Sequence, residues 1–237
     1  MDLKIKDVAD LLNVSETTIR RWLSDGKIPA YRINHQYRFS RVEIENWVLR
    51  QKLSSSEEAE FNVQTISEEE LSDTQNKGGT KQFSLYRALH KGRVLNDING
   101  KSKEEVIRNT MSIMANDLSL DKDVLTDLLL DRENLQPTAL NHGVAIPHTR
   151  DFLLDAHHDV VSVVFLKEPI PYGALDGKNV HTLFFLFACD DKRHLHLLAK
   201  IAHLTNYPRS CDFFQTCPKK EDLLDYVKNW EASILPR

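Results

Sequence analysis

Apolar residues recur at helical spacing as soon as the chain begins. Ile5, Val8, Ala9 and Leu12 share one face and predict a first helix. Asn13-Val14 reads as a short turn, and Ser15 is a good N-cap for a second helix. That helix, Glu16 to Leu23, turns Ile19, Trp22 and Leu23 inward and leaves Thr17, Thr18, Arg20 and Arg21 outside. Gly26 closes it, as a glycine just past a helix end does. The period then changes to that of a β-hairpin. Ile28 to Ile33 forms one arm, Gln36 to Phe39 the other, and Asn34-His35 the turn. A third helix, Val42 to Leu49, has Val42, Trp47 and Leu49 among its apolar positions.

Residues 54–82 break the pattern. They are polar and acidic, nearly free of large apolar side chains, and predict a flexible tether. From Phe83 onward helices and strands alternate. Ser102 and Glu105 form a capping box at the start of a helix reaching about Leu118. A Leu-rich helix covers Asp121 to about Arg132. Val160–Leu166 and Val180–Ala188 are near-continuous apolar runs, as expected of strands covered on both faces. Asp176-Gly177 between them reads as a hairpin turn and nothing more. His194 to Thr205 and Glu221 to Trp230 are helical. The expected fold class is α/β: a mixed β-sheet flanked by helices, preceded by a small winged helix-turn-helix domain. The expected divisions are 1–53, 54–82 and 83–237, with no internal repeat.

Charge adds a second distinction between the parts. Residues 1–53 hold ten Lys/Arg against seven Asp/Glu, whereas residues 54–82 hold two against seven. A basic head and an acidic hinge imply separate partners for head and body. No apolar run reaches the length of a membrane span, and the first residues lack the apolar stretch of a signal peptide. The expectation is a cytoplasmic protein without membrane insertion. Three cysteines, Cys189, Cys211 and Cys217, fit reduced thiols. Neither they nor the histidines show metal-ligand spacing, and no cofactor is expected.

The candidate chemistry lies in Gly143-Val144-Ala145-Ile146-Pro147-His148. Val144 to Ile146 predict a short buried strand. Pro147 fixes its own φ and ends the strand, so His148 sits at a strand end beside a loop. Spacing alone fits a plain strand-to-loop turn equally well.

Asn141 to His148 resembles the active-site signature of the enzyme IIA domains of the bacterial phosphoenolpyruvate-dependent phosphotransferase system. The resemblance is to the mannitol/fructose class, and within it to the nitrogen-regulatory (PtsN-type) member. It runs from about Phe83 to the C-terminus. It implies that His148 accepts a phosphoryl group from an HPr-type carrier protein. It also implies roles for Arg132, in the Arg132-Glu133 pair ahead of the signature, and for His194, which opens a His-Leu run on a later helix. Arg132 offers a planar fork suited to phosphoryl oxygens. His194 either donates to the phosphoryl group or orients the His148 ring. Family members usually carry Gly-Asn-Gly before the apolar run, where this chain has Asn141-His142-Gly143. The left-handed tolerance of Asn141 is expected to preserve that turn.

The order of helix, turn, helix, basic hairpin and helix in the head resembles the excisionase/MerR-type winged helix-turn-helix. That resemblance implies double-stranded DNA as a partner. Thr17, Thr18 and Arg21, with Arg20 beside them, would face base edges and phosphates from the second helix. Arg32, His35, Tyr37 and Arg38 would track phosphates or the minor groove from the wing. The small excess of positive charge predicts modest affinity, helped by a homodimer or another partner.

The reading is a regulatory phosphocarrier whose phosphorylation on His148 is coupled to DNA binding or transcriptional regulation. A IIB component or a regulatory protein is a further possible target. Two alternatives stay open: a DNA-binding sensor with a degenerate IIA body, and a sugar-uptake IIA component.

Overall fold

The computed structural model describes residues 2–12, 14–54, 84–149, 158–174 and 176–234. The expected turn residue Asn13 and the expected tether beyond Ser54 lie outside these residues. The chain divides into two compact units, Met1–Lys77 and Gly78–Arg237.

In the first unit, β1 (Asp2–Leu3), α1 (Ile5–Leu12), α2 (Glu16–Ser24), β2 (Tyr31–Ile33), β3 (Gln36–Ser40) and α3 (Arg41–Ser54) follow in order. Ser15 caps α2 by accepting from the Thr18 amide. At the other end Gly26 takes φ +66°. The amides of Gly26 and Lys27 then reach back to Leu23 and Trp22. These paired bonds satisfy carbonyls that a helix end leaves open. The hairpin turn forms at Asn34-His35, both left-handed at φ 47° and 64°, as a type I′ turn requires.

The first arm is shorter than expected. Ile28 is buried ahead of the strand, and only Tyr31–Ile33 pairs. Pro29 has no amide to give to a ladder. Strand β1 was not expected; two residues pair with Ser40 and Phe39 at the free side of β3. Val8, Ala9, Ile19, Ile28, Phe39 and Ile44 form the core. Ile44, rather than Val42 or Trp47, is the central buried residue of α3. Trp47 instead packs at the rim, 5.4 Å from Trp22, and donates to the Lys27 carbonyl at 2.5 Å. Its indole nitrogen needs an acceptor, which a fully apolar core would deny it.

The second unit runs α4 (Ser84–Lys91), β4 (Val94–Ile98), α5 (Lys103–Leu118), α6 (Lys122–Leu135), β5 (Val144–Ala145), β6 (Val160–Ile170), β7 (Val180–Phe187), α7 (Asp191–Thr205), α8 (Pro208–Gln215) and α9 (Lys220–Ser233). The four strands are ordered β4-β6-β7-β5. β6 and β7 are antiparallel, while β4 lies parallel to β6 and β5 parallel to β7. The sheet is therefore mixed. Val164, Leu166, Leu183 and Phe185 face Ile107, Met111, Leu125 and Leu129 of α5 and α6. The alternate residues face the other helices: α4 packs on β6, α7 and α8 on β7, and Phe184 meets Phe214 edge-on at 5.4 Å. Cover on both faces is why the two long strands read as unbroken apolar runs.

Helices α4 and α8 and strand β4 were not anticipated. β4 contains exposed Asn96 and left-handed Asp97, which break its alternation. Gly92 just ahead of it passes so near β6 that a Cβ there would lie 1.9 Å from the Val161 carbonyl oxygen. Among the described residues no helix is long and apolar enough to cross a membrane.

Candidate functional site

Three segments converge at the C-terminal ends of β5 and β7: the last turn of α6, the strand end at His148, and the first turns of α7. The strand end is held from both sides. On one side Val144 and Ala145 pair with Thr182 and Leu183 of β7. The pairing resumes at His148 opposite Leu186, where the Leu186 amide donates to Pro147 at 3.0 Å. On the other side the Leu140 amide donates to the Val144 carbonyl at 2.7 Å and the Ile146 amide to the Thr138 carbonyl at 3.1 Å. Pro147 has no amide to contribute, yet its carbonyl keeps the segment tied to the sheet.

The turn that starts this segment departs from the sequence expectation. The left-handed residues are His142 (φ 62°) and Gly143 (φ 75°), not Asn141. His142 is tolerated because Asp176 accepts its amide at 2.8 Å and the Lys178 amide at 3.1 Å. Asp176 is thus more than a turn residue. The β6–β7 connection spans residues 171–179 and lays its carboxylate against the signature turn. The His142 side chain itself is exposed. At Gly143 the backbone approach is close: an added Cβ would fall 2.5 Å from the His181 ring.

His148 is buried and engaged through both ring nitrogens. Nδ1 lies 2.7 Å from the Ile146 carbonyl. A carbonyl only accepts, so Nδ1 carries the proton. Nε2 accepts from Arg132 Nε at 3.1 Å. The ring is therefore the neutral Nδ1–H tautomer with its lone pair at Nε2. Arg132 occupies the last turn of α6 and also donates from Nη1 to the Gln136 carbonyl at 3.1 Å. The His194 ring meets His148 edge-on, with centroids 5.1 Å apart and planes at 61°. His194 is near the start of α7, whose N-cap Asp190 accepts the Arg193 amide at 2.9 Å. That helix end supplies partial positive charge beside the site. Asp159 pins the same turn through the Cys189 amide and Arg193 Nε, at 3.0 and 2.8 Å. The structure thus brings Arg132, His148 and His194 together.

Glu133, next to Arg132, is also buried and turns the other way. Its two oxygens accept from the Thr138 amide at 2.9 Å and the Thr138 hydroxyl at 2.6 Å. Burial pushes its carboxyl above the ordinary value, and the Thr138 bonds oppose the shift. Spacing gave no sign of this contact; only a second charged residue beside Arg132 hinted at it. His196 lies off the site and shares a hydrogen bond with Ser84 at 2.9 Å. His158 is exposed, and His157 lies outside the described residues. All three cysteines are free, and burial raises the thiols of Cys189 and Cys211.

In the head, Thr17, Arg20 and Arg21 are exposed along α2. Arg20 pairs with Glu16 at 3.4 Å across a solvated turn. Thr18 is half-buried, and its hydroxyl meets that of Ser15 at 2.9 Å. On the wing, the Arg32 guanidinium lies 4.6 Å over the Tyr37 ring and donates to the Tyr37 hydroxyl at 2.7 Å. Arg38 donates to Gln36 and to the Tyr37 carbonyl. His35 is exposed at the turn tip. Arg32, Tyr37 and Arg38 form one ordered basic cluster.

Residues 87–230 match the family model described as phosphoenolpyruvate-dependent sugar phosphotransferase system, EIIA 2. Residues 3–52 match a helix-turn-helix domain model. A nitrogen regulatory protein of Pseudomonas aeruginosa is 32% identical over 146 residues, 60% of this chain and 94% of that protein. One from Escherichia coli is 28% identical over 153 residues, 64% of this chain and 93% of that protein. The crystal structure of nitrogen regulatory protein IIA-Ntr from Neisseria meningitidis aligns with a TM-score of 0.50 at 25% identity. It covers 58% of this chain and 93% of its own.

Proposed function

The chain belongs to the EIIA 2 family of the phosphoenolpyruvate-dependent sugar phosphotransferase system and carries a helix-turn-helix domain ahead of it, and from that premise we propose that it is a regulatory phosphocarrier. His148 takes a phosphoryl group from the phosphohistidine of an HPr-type carrier, and the phosphorylation state is read out through DNA binding.

The observation that carries this reading is the lock on the His148 ring. With Nδ1–H on the Ile146 carbonyl, Nε2 holds the lone pair and faces Arg132. Nε2 attacks the phosphorus of the donor. The donor's N–P bond breaks, and its electron pair returns to the donor imidazole. The new N–P bond leaves positive charge on the His148 ring, which the Ile146 carbonyl stabilises through Nδ1–H. The Nδ1 proton stays in place. Arg132 must release Nε2 as the bond forms, and its Nε–H moves about one atom outward onto a phosphoryl oxygen. Little covalent work is asked of the protein, so positioning and charge stabilisation carry the rate. His194 packs edge-on against the His148 ring, and the N-terminus of the helix that carries it would favour phosphoryl charge arriving there.

In the head, Thr17, Arg20 and Arg21 are the proposed contacts of the recognition helix. Thr18 is partly committed to the Ser15 cap. Arg32, His35, Tyr37 and Arg38 are the proposed wing contacts with phosphates. A phosphoryl group brings about 1.5 to 2 negative charges, enough to bias a partner or DNA equilibrium.

The test is phosphoryl uptake from phosphoenolpyruvate, enzyme I and an HPr-type carrier. An acid-labile mass increase is expected on wild type and not on His148→Ala. DNA affinity is then compared between the two states of the wild type. No label on wild type would leave a DNA-binding sensor with a silent IIA body.

A further inference from the structure

We infer that Glu133 is a positioning residue for His148, acting through Thr138 and Ile146. The inference rests on the phosphocarrier reading and extends it to a residue that never meets the phosphoryl group. The connection is continuous. Both Glu133 oxygens hold Thr138, through its amide at 2.9 Å and its hydroxyl at 2.6 Å. The Thr138 carbonyl accepts the Ile146 amide at 3.1 Å. The Ile146 carbonyl accepts Nδ1–H of His148 at 2.7 Å. Arg132, one residue earlier on the same helix, reaches Nε2 of the same ring directly. Two consecutive residues of α6 therefore hold opposite edges of one imidazole.

The arrangement is costly enough to call for a reason. Glu133 is 1% exposed and Thr138 is 3% exposed, so a carboxylate is kept from water to hold one threonine. A neutral side chain could pack there at lower cost. What a carboxylate adds is two acceptors on a short side chain, fixing both the amide and the hydroxyl of Thr138. That fixes where the Thr138 carbonyl points, and with it the Ile146 peptide plane. A tilted plane would weaken the acceptor that selects the Nδ1–H tautomer. The lone pair would then be shared between the ring nitrogens, and the nucleophile at Nε2 would be present only part of the time. The groups that face Glu133 agree with a guarded position. Tyr172 from the β6–β7 connection lies near it, and Lys103 and Arg132 supply the nearby positive charge.

The test uses the full-length protein with Glu133→Leu, Glu133→Gln and Thr138→Val. The first readout is the nitrogen NMR spectrum of histidine ring-labelled protein, with His148 assigned by His148→Ala. Wild type is expected to show one protonated Nδ1 and one unprotonated Nε2. Glu133→Leu is expected to average the two signals, Thr138→Val to shift them part of the way, and Glu133→Gln, which keeps one acceptor, to lie between. The second readout is phosphoryl uptake at varied carrier concentration. A loss in kcat on the order of tenfold is expected for Glu133→Leu, the range seen when support for an active-site ligand is removed. KM for the carrier should hold, because Glu133 is not on the surface. A folded Glu133→Leu with an unchanged ring spectrum and unchanged kcat overturns the inference. Should Glu133→Leu fail to fold, Glu133→Gln and Thr138→Val decide it by the same spectrum. If wild type takes no phosphoryl group, the phosphocarrier reading falls, while the ring spectrum still decides whether Glu133 positions His148.

Discussion

Replacing Arg132 by Gln tests whether the contact seen in the resting site becomes a contact to the transferring group. Arg132 has two assigned donors. Nη1 is held by the Gln136 carbonyl at 3.1 Å, and Nε faces His148 Nε2 at 3.1 Å. On the proposed transfer, the Nε–H would meet phosphoryl charge as it arrives. A hydrogen bond to a charged group is worth about 1.5–3 kcal/mol, and tenfold in rate is about 1.4 kcal/mol. The loss in kcat is thus about tenfold to two-hundredfold. Arg132→Lys keeps the charge and loses the fork, so it should fall less than Arg132→Gln. The assay is pre-steady-state phosphoryl uptake from labelled carrier, with a melting curve beside it. The Gln136 carbonyl also loses a partner, which costs about 1 kcal/mol of stability and should be seen separately in the melt. A folded Arg132→Gln protein with kcat within threefold of wild type would refute the reasoning.

Three further outcomes are expected. Burial raises the folded-state pKa of Glu133 above the ordinary 4.5, so its relative contribution to stability is complete below that value. It is lost as pH rises through the folded value. Urea unfolding at about pH 4 and pH 7 should therefore show wild type losing stability relative to Glu133→Gln at the higher pH; an equal gap at both would remove the desolvation argument. Gly143→Ala combines φ 75° with a Cβ 2.5 Å from the His181 ring, so a loss of at least ~2 kcal/mol is expected, partly restored by His181→Ala. An unchanged urea midpoint would contradict it. Arg32→Ala should weaken DNA binding across sequences and lower the slope of log affinity against log salt by about one, measured by titration at several salt concentrations. A full slope would mean that Arg32 does not touch a phosphate.

The elements readable in the chain were those with a local cause. Ser15 and Ser102 cap the helices they were expected to cap. Asp190 is also an N-cap, and it starts α7 a turn before His194, where an acidic pair hid the boundary. Val160 and Val180 begin the long strands at the expected residues. β6 continues beyond Leu166 to Ile170 because a register shift lets exposed Lys167 to Pro169 interrupt the apolar run without ending the strand. The meeting of Arg132, His148 and His194 was readable from the resemblance, but the hydrogen bonds that hold the ring were not. Arg132 and His148 are sixteen residues apart along the chain, and no periodicity joins them; their association was expected only from resemblance. The left-handed residue was misplaced because intrinsic preference favours Asn141, whereas the Asp176 carboxylate stabilises the turn at His142. Side-chain anchors from distant loops leave no local trace. The same holds for Glu133, whose partner Thr138 becomes meaningful only once β5 is in place.

On the proposed phosphocarrier function, the site also limits how phosphorylation could be sensed. Arg132 satisfies Nε2 in the resting state, and by moving about one atom it can satisfy a phosphoryl oxygen instead. Nδ1–H holds the Ile146 carbonyl and would keep it after transfer. Neither change would require the sheet or the helices to repack, so on that function the main difference between the states would be the added charge. At physiological salt such a charge is screened over about 8 Å. A surface that reads it must therefore include the end of α6, the Gln136–Pro137 turn or the start of α7. The end of α6 offers an apolar hold beside that charge, since Leu135 is 65% exposed three residues after Arg132. A reader that packs on Leu135 brings its own groups within range of the phosphoryl oxygens. If that group is a guanidinium, binding strengthens on phosphorylation; if it is a carboxylate, binding weakens. On the proposed function, the direction of regulation would then be set by one side chain of the reader, with no change in the fold of the carrier.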